Sequence, residues 1–368
     1  MRLITDLQPE QVEEVLRSWD EPAYRARQLL HGVYQRLAAS LDEMTGLPQG
    51  LRARLSAEFA LSGLTLETRR DSSDGLTAKY LFRLCDGNSI ESVLMRYPSR
   101  GGSGARTTAC ISTQVGCAIG CPFCATGASG FVRNLSTGEI VGQALALARD
   151  VEGPASPRAA SRLTNVVFMG MGEPLANYDA TLGAVRLLTH RQGFGMGARR
   201  LTVSTAGMAP QIIRLANNAP QVNLSISLHA ANDRLRDRLV PLNRRYPLAR
   251  LIEACREHQA KTGRRPTLEY VLLERANDGR EDAEALARLL AGMDAHVNLI
   301  RAYPVAESPY APSSRERALA FQRLLRRLRV KNTMRVERGG DIEAGCGQLR
   351  AGALKRSGDL RRGCAPQG

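Results

Sequence analysis

The residues best placed to do chemistry are Cys117, Cys121 and Cys124, in the run Cys117-Ala-Ile-Gly-Cys121-Pro-Phe-Cys124. This C-x3-C-x2-C loop directly follows the β-like run Thr108-Ala-Cys-Ile-Ser-Thr113. Three thiolates so close can wrap one metal centre. A structural zinc calls for a fourth ligand nearby, and the loop holds none. A [4Fe–4S] cube takes one thiolate per iron. Three thiolates therefore leave one iron open to bind and reduce a small molecule. Zinc and free thiols remain the alternatives.

Four further segments offer polar groups. The run from Val166 to Pro174 is a strand, a glycine-rich turn and an acid; Gly172 lets the backbone approach a ligand, and Glu173 can hold a charged amino acid moiety. Val203-Ser204-Thr205-Ala206-Gly207 and Ser225-Ile226-Ser227-Leu228-His229 end two other β-like runs. Each could be a mere strand terminus, and a lone histidine is more often structural than a ligand. Cys110 lies on the run before the cluster loop, and Cys346 lies in the flexible stretch Gly339-Gly-Asp-Ile-Glu-Ala-Gly345-Cys346-Gly347. A lone cysteine is usually a small buried hydrophobe. Gly193-Phe-Gly-Met-Gly197 resembles a nucleotide-binding glycine motif, but a helical stretch precedes it and no acid follows to read a ribose, so it is a loop.

These residues need a scaffold. Seven β-like runs (TACIST, NVVFMG, RLTVST, VNLSISL, TLEYVLL, HVNLIRAY and NTMRVE) alternate with helical stretches such as Gly138–Arg149, Asp179–Thr189 and Asp282–Leu290 between about residues 109 and 338. That rhythm predicts parallel βα units in an open or closed barrel. Ligands bind such sheets at the C-terminal ends of the strands, where the cysteine loop, the turn before Glu173 and the Ser204 and Ser227 runs lie. Upstream, Pro9, Pro22 and Pro48 suit first helical turns, and Tyr24, Leu29, Leu30, Val33 and Tyr34 give an apolar stripe. Residues 76–96 switch to period two around Asp86-Gly87-Asn88, a β-hairpin. The expected divisions are a helical accessory domain (1–70), a hairpin and mobile glycine loop (71–102), a core (103–340), and a catalytic cysteine segment with a basic tail (341–368).

The 368 residues carry 51 basic and 36 acidic side chains, a net charge of +15. Such a charge calls for a polyanionic partner, nucleic acid first and an anionic membrane second. Only four of the basic residues are lysine, a bias that resembles a GC-rich genome more than selection for arginine chemistry. The 43% hydrophobic content excludes wholesale disorder. No apolar run approaches the roughly 18 residues of a spanning helix, and the N-terminus lacks a secretory h-region. A cytoplasmic location and no membrane contact are expected. Eight cysteines in such a setting point to metal or catalysis.

The cysteine loop, including Phe123, resembles the radical S-adenosylmethionine (SAM) superfamily. The whole set resembles the RlmN/Cfr family of RNA adenine C-methyltransferases: Ser112-Thr-Gln-Val-Gly-Cys117, Gly130-Phe-Val-Arg-Asn-Leu135, the glycine turn before Glu173, Ser227-Leu228-His229, Val240-Pro-Leu-Asn-Arg-Arg-Tyr-Pro-Leu248 and the Cys346 segment, in order through most of the chain. The resemblance implies an α/β fold: a partial (βα)6-type radical SAM barrel with a small N-terminal helical domain and a β-hairpin extension. It implies a [4Fe–4S] cluster on Cys117, Cys121 and Cys124. It also implies two molecules of SAM per turnover, with Gly172 and Glu173 at the methionine part and Ser204, Ser227, Leu228 and His229 at ribose and adenine. In the implied mechanism one SAM methylates the Cys346 sulfur, and a 5′-deoxyadenosyl radical from a second SAM removes a hydrogen from that methyl group. The carbon radical adds to the adenine ring. Glu91 accepts the ring proton, with Cys110 its rival as base, and Cys110 frees the product through a transient disulfide with Cys346. The chemistry is reasonable because C2 and C8 of adenine are electron-poor and cannot displace a methyl group by polar attack. The implied partners are ribosomal RNA, with tRNA as a second candidate, and a flavodoxin- or ferredoxin-type electron donor, with the protein a monomer.

Three features bear on the choice within the family. Gly130–Leu135 and Gly170–Leu175 are closer to the C2-methylating RlmN branch, whereas Asn298-Leu-Ile-Arg301 is closer to the C8-methylating Cfr branch; C2 is favoured. Tyr303 stands where the family usually has an asparagine, so SAM binding there must be remodelled. The loop between Glu91 and Cys110 is longer than usual. A divergent paralogue with another substrate and a non-catalytic RNA-binding protein are the alternatives; the intact cysteine trio with both Cys110 and Cys346 argues against the second.

Overall fold

The computed structural model describes residues 1–99, 104–152, 162–306 and 308–349. The glycine loop at 101–103, Cys364 and the basic tail from Arg350 onward lie outside the described residues.

The N-terminal part forms helices Pro9–Arg17, Tyr24–Tyr34 and Gln49–Glu58. Pro9 sits in the first turn of its helix, and Gln11 reaches back to accept the Gln8 amide at 2.8 Å. Leu16, Leu29, Leu30, Val33 and Leu55 are buried together, while Tyr24, at the head of the expected stripe, is exposed. A short parallel pairing of Arg2–Leu3 with Phe59–Ala60 closes this unit. It docks on the core through polar contacts: the Gly138 amide donates to Asp6 Oδ1 at 2.6 Å, and Gln35 Nε2 donates to the Gly193 carbonyl at 2.7 Å.

The core is one ten-stranded sheet. All seven anticipated runs are present as parallel strands in sequential order: Arg106–Cys110, Asn165–Phe168, Leu201–Thr205, Asn223–Ser227, Thr267–Leu272, His296–Arg301 and the short Asn332–Met334. Every crossover carries a helix, Thr137–Glu152 in the first and Arg315–Arg327 in the last. Val166, Phe168, Leu201, Val203, Ile226 and Leu268 are fully buried, as strands covered on both faces must be. This is the partial α/β barrel that the rhythm of the sequence implies.

The hairpin strands Thr77–Leu84 and Ser89–Tyr97 extend the same sheet by antiparallel pairing on Arg106–Cys110, with Val93 opposite Cys110. A third antiparallel strand, Leu64–Asp71, borders the hairpin. Its side chains are almost all exposed, so it has no apolar face and no period-two signal in the sequence. Among the described residues no helix is long and apolar enough to cross a membrane.

Candidate functional site

One cavity opens at the C-terminal ends of the parallel strands, and Cys117, Cys121 and Cys124 all line it. Their loop is framed by Gln114–Gly116 paired antiparallel with Phe131–Asn134. Burial pushes the Cys117 thiol up to about 12, and burial with neighbouring thiols raises Cys121 as well. Such thiols stay protonated unless a metal displaces the proton. Among the described residues no three His, Cys, Asp or Glu side chains converge closely enough to hold a single ion. A four-iron cube seats each thiolate on a different iron, so it does not demand that convergence.

The glycine-rich turn packs beside this loop. The Gly170 amide donates to the Ile111 carbonyl at 3.0 Å, and the Met171 amide to Ser112 Oγ at 2.8 Å. Gly172 has φ +97°, and a Cβ there would stand 2.5 Å from Gln114 Cβ; only glycine meets both conditions. Glu173 then turns into the cavity wall and accepts the Ala206 amide at 2.7 Å and the Leu175 amide at 3.0 Å. Burial pushes its carboxyl up to about 7 against those hydrogen bonds. A carboxylate offers about four lone-pair sites, which leaves acceptor capacity for an ammonium group.

Ser204, Ser227 and His229 line the same cavity from adjacent strand ends. Leu228 is fully buried, and its amide donates to the Glu269 carbonyl at 3.0 Å. His229 Nδ1 accepts the Val271 amide at 3.1 Å, which puts the ring proton on Nε2. Burial, helped by Arg236, pushes the His229 pKa down to about 3, so the imidazole is neutral. Its ring meets Phe123 edge-on at 5.0 Å between centroids, tying the strand end to the cysteine loop.

Beneath these ends lies Arg236, which is 0% exposed. It donates to the carbonyls of Ala206 (2.6 Å), Ser227 (3.1 Å) and Leu228 (3.0 Å) and to Asn243 Oδ1 (2.8 Å). Burial pushes its pKa down to about 10, still far above neutrality. Arg236→Met would strand four buried acceptors. The expected cost is about 3 kcal/mol of unfolding free energy, measured by denaturant titration.

The cavity wall also holds Glu269. Its Oε1 accepts from Ser225 Oγ at 2.9 Å and Asn298 Nδ2 at 3.2 Å. Its Oε2 is buried, makes no hydrogen bond and lies 3.9 Å from Arg335 Nη1. A buried acidic oxygen with no hydrogen bond in the cavity wall suits a ligand that brings hydroxyl or ammonium donors. Together with the three thiols and Glu173, it makes the residues present fit both an iron–sulfur cluster and SAM.

Cys110 and Cys346 both line this cavity, both as free thiols. Cys110 is buried; burial first, then the neighbouring Cys346, pushes its thiol up to about 12. Cys346 is exposed. Arg335 lines the same cavity, and its pKa is raised chiefly by Cys346. The Cys346 segment is anchored on both sides. The Ala125 amide donates to the Gly347 carbonyl at 2.7 Å, Thr126 Oγ1 to the Leu349 carbonyl at 2.6 Å, and Lys79 Nζ to the Glu343 carbonyl at 3.2 Å. Lys79 Nζ also pairs with Glu91 Oε1 at 3.2 Å. Glu91 is buried two residues before Val93 on the same strand face; Val93 lines the cavity and Glu91 does not.

Sequence reasoning missed Arg236, Glu269, Lys79 and Arg335. Glu269 was findable as a single acid inside the apolar run TLEYVLL, and Arg335 as the one cation ending the last strand. Arg236 and Lys79 carry no local signal, because their partners are distant in sequence.

The comparisons with known proteins agree with this geometry. Residues 111–290 match the model of the radical SAM superfamily, and residues 3–61 that of the ribosomal RNA large subunit methyltransferase N-terminal domain. A protein of Chloroflexus aurantiacus named a dual-specificity RNA methyltransferase RlmN is 48% identical over 95% of this chain and 92% of its own. A protein of Dictyoglomus turgidum with the same name is 42% identical over 98% and 99%. The crystal structure of a radical SAM methyltransferase from Sphaerobacter thermophilus superposes with a TM-score of 0.91 at 50% identity, covering 95% of this chain and all of that one. On full-length identity, and with the thiol trio and paired cysteines facing one cavity, the chain belongs to the RlmN family of radical SAM RNA methyltransferases.

Proposed function

We propose that this protein methylates C2 of an adenine in large-subunit ribosomal RNA, and of an adenine in tRNA, using Cys346 as the methyl carrier. The observation that supports this most strongly is the placement of an exposed Cys346 and a buried Cys110 on one cavity with the three cluster thiols. When bound on Cys117, Cys121 and Cys124, the cluster would supply the electron that makes SAM a source of radical chemistry. Glu173 would hold the amino acid end of SAM, and Glu269, Ser204, Ser227 and His229 its sugar and base.

The chain's own residues do the rest. Cys346 presents its S-methyl group to the cavity, where Arg335 sets a positive charge that both sulfurs feel. After the methylene carbon has joined the adenine ring, the radical adduct gives up one electron, which the bound cluster would take back, and the ring hydrogen leaves as a proton to a base. Glu91, set in place by Lys79, is that base, and the pair opens toward the cavity for it to reach the ring. The Cys110 thiolate then attacks the Cys346 sulfur. An S–S bond forms, the S–C bond breaks, and the carbon leaves as a methyl group after taking a proton. The disulfide must be reduced before the next turnover. Arg335 is the cation that stabilises the Cys110 thiolate. Arg335→Met is expected to slow this release about tenfold or more, so that RNA-bound enzyme accumulates in quenched time courses.

The target base must leave its stack to reach this depth, which favours looped RNA. The helical part of region 1–70, ahead of the strand that begins at Leu64, is the proposed RNA grip, with the hairpin (71–102) and the core (103–340) following it. A flavodoxin- or ferredoxin-type donor, a monomeric state and a cytoplasmic setting complete the proposal. Anaerobic reaction of the reconstituted enzyme with methyl-deuterated SAM and mixed ribosomal and transfer RNA tests it by nucleoside mass spectrometry. Labelled 2-methyladenosine is expected. Label at C8 instead would move the protein to the Cfr-like reading, which Asn298-Leu-Ile-Arg301 favours.

A further inference from the structure

Tyr303 lies two residues past the strand His296–Arg301, and no role in the reaction described above uses it. Its hydroxyl grips one residue at both backbone groups: it accepts the Arg338 amide at 2.8 Å and donates to the Arg338 carbonyl at 3.1 Å. Its ring lies against two glycines of the loop that follows. A Cβ on Gly345 would stand 2.4 Å from Tyr303 Cε2 and 2.5 Å from Cδ2; a Cβ on Gly340 would stand 3.0 Å from Cε1. The ring and residues 344–347 line one wall of the cavity together. Gly345 has no left-handed φ to explain its identity. The space it leaves is the space the ring takes.

We propose that Tyr303 is a positioning residue: its phenol clasps the loop 338–346 at both ends and so fixes Cys346 at the cavity mouth. This rests on the reading of Cys346 as methyl carrier. The clasp acts on the loop itself, so it can be measured with or without that chemistry.

The test is a double-mutant cycle in the full-length protein with two readouts. One is the rate of Cys346 alkylation by iodoacetamide, followed by peptide mass spectrometry. The other is kcat and KM for RNA methylation by the reconstituted enzyme. Gly345→Ala is expected to change the alkylation rate severalfold and to lower kcat at least tenfold, with KM within about twofold of wild type. In a Tyr303→Ala background the same Gly345→Ala change is expected to have little further effect, because the clashing ring is gone. Tyr303→Phe keeps the ring and loses the grip on Arg338, so Cys346 should alkylate about two- to tenfold faster; this variant carries the test if Gly345→Ala does not fold. Equal penalties of Gly345→Ala in both backgrounds, or wild-type alkylation of Tyr303→Phe, would overturn the clasp. Full RNA methylation by Cys346→Ala would instead overturn the carrier reading and leave the alkylation cycle to decide the clasp.

Discussion

Cys346→Ala is expected to fold as the parent does and to transfer no methyl group to RNA, with kcat reduced about 10⁴-fold or more. The side chain is exposed, so its loss should cost under about 0.5 kcal/mol of stability. The carbon that reaches the adenine travels on this sulfur, and among the described residues no other thiol is both exposed and on the cavity. Cys110 faces the same cavity but is buried and holds its proton up to about 12. Cys255 is buried against the helices and does not line the cavity. Single-turnover transfer of labelled methyl from SAM to RNA measures the effect, and denaturant unfolding checks the fold. Transfer within tenfold of wild type would mean that another group carries the methyl.

Cys110→Ala should fail in a different place. Methylation of Cys346 and bond formation to the base need no resolving thiol, so both proceed. Release does need one, because the S–C bond breaks only when a second sulfur attacks. The variant is expected to stop after one turnover as a covalent protein–RNA species, approaching one RNA per active enzyme and resistant to denaturing electrophoresis. Replacing a small buried thiol by alanine should cost only about 1 kcal/mol, so loss of fold would not explain the block. Free product with no cross-linked species would assign release to another group and leave Cys110 as a packing residue.

Much of this site was legible because each signal was local. The cysteine loop, the glycine turn with Glu173 and the strand ends at Ser204 and Ser227 are contiguous runs, and parallel βα order carries them all to one end of the sheet. The seven parallel strands were readable for the same reason: strands covered on both faces appear as apolar runs. The exposed strand Leu64–Asp71 was not, since nothing in LTLETRRD distinguishes a buried face. The groups that tie the site together were hidden as well. Arg236 binds carbonyls from two strand ends up to 30 residues away. Lys79 joins Glu91 to a loop 264 residues later. Tyr303 read as a departure from the family pattern in SAM binding, whereas its hydroxyl and ring engage the loop of Cys346. Such pairings depend on tertiary distance, which residue spacing does not encode.

The most direct test of the carrier role follows the hydrogens of one methyl group. Enzyme bearing a trideuteromethyl group on Cys346 would be mixed anaerobically with unlabelled SAM, reductant and RNA, and the adenosine formed in the first turnover examined by mass spectrometry. One deuterium must leave to make the carbon reactive, and one proton must be added on release. The expected product therefore carries a methyl group with two deuteriums at C2 of adenine. A first-turnover methyl group with three deuteriums, or with none, would contradict the role of Cys346 set out here.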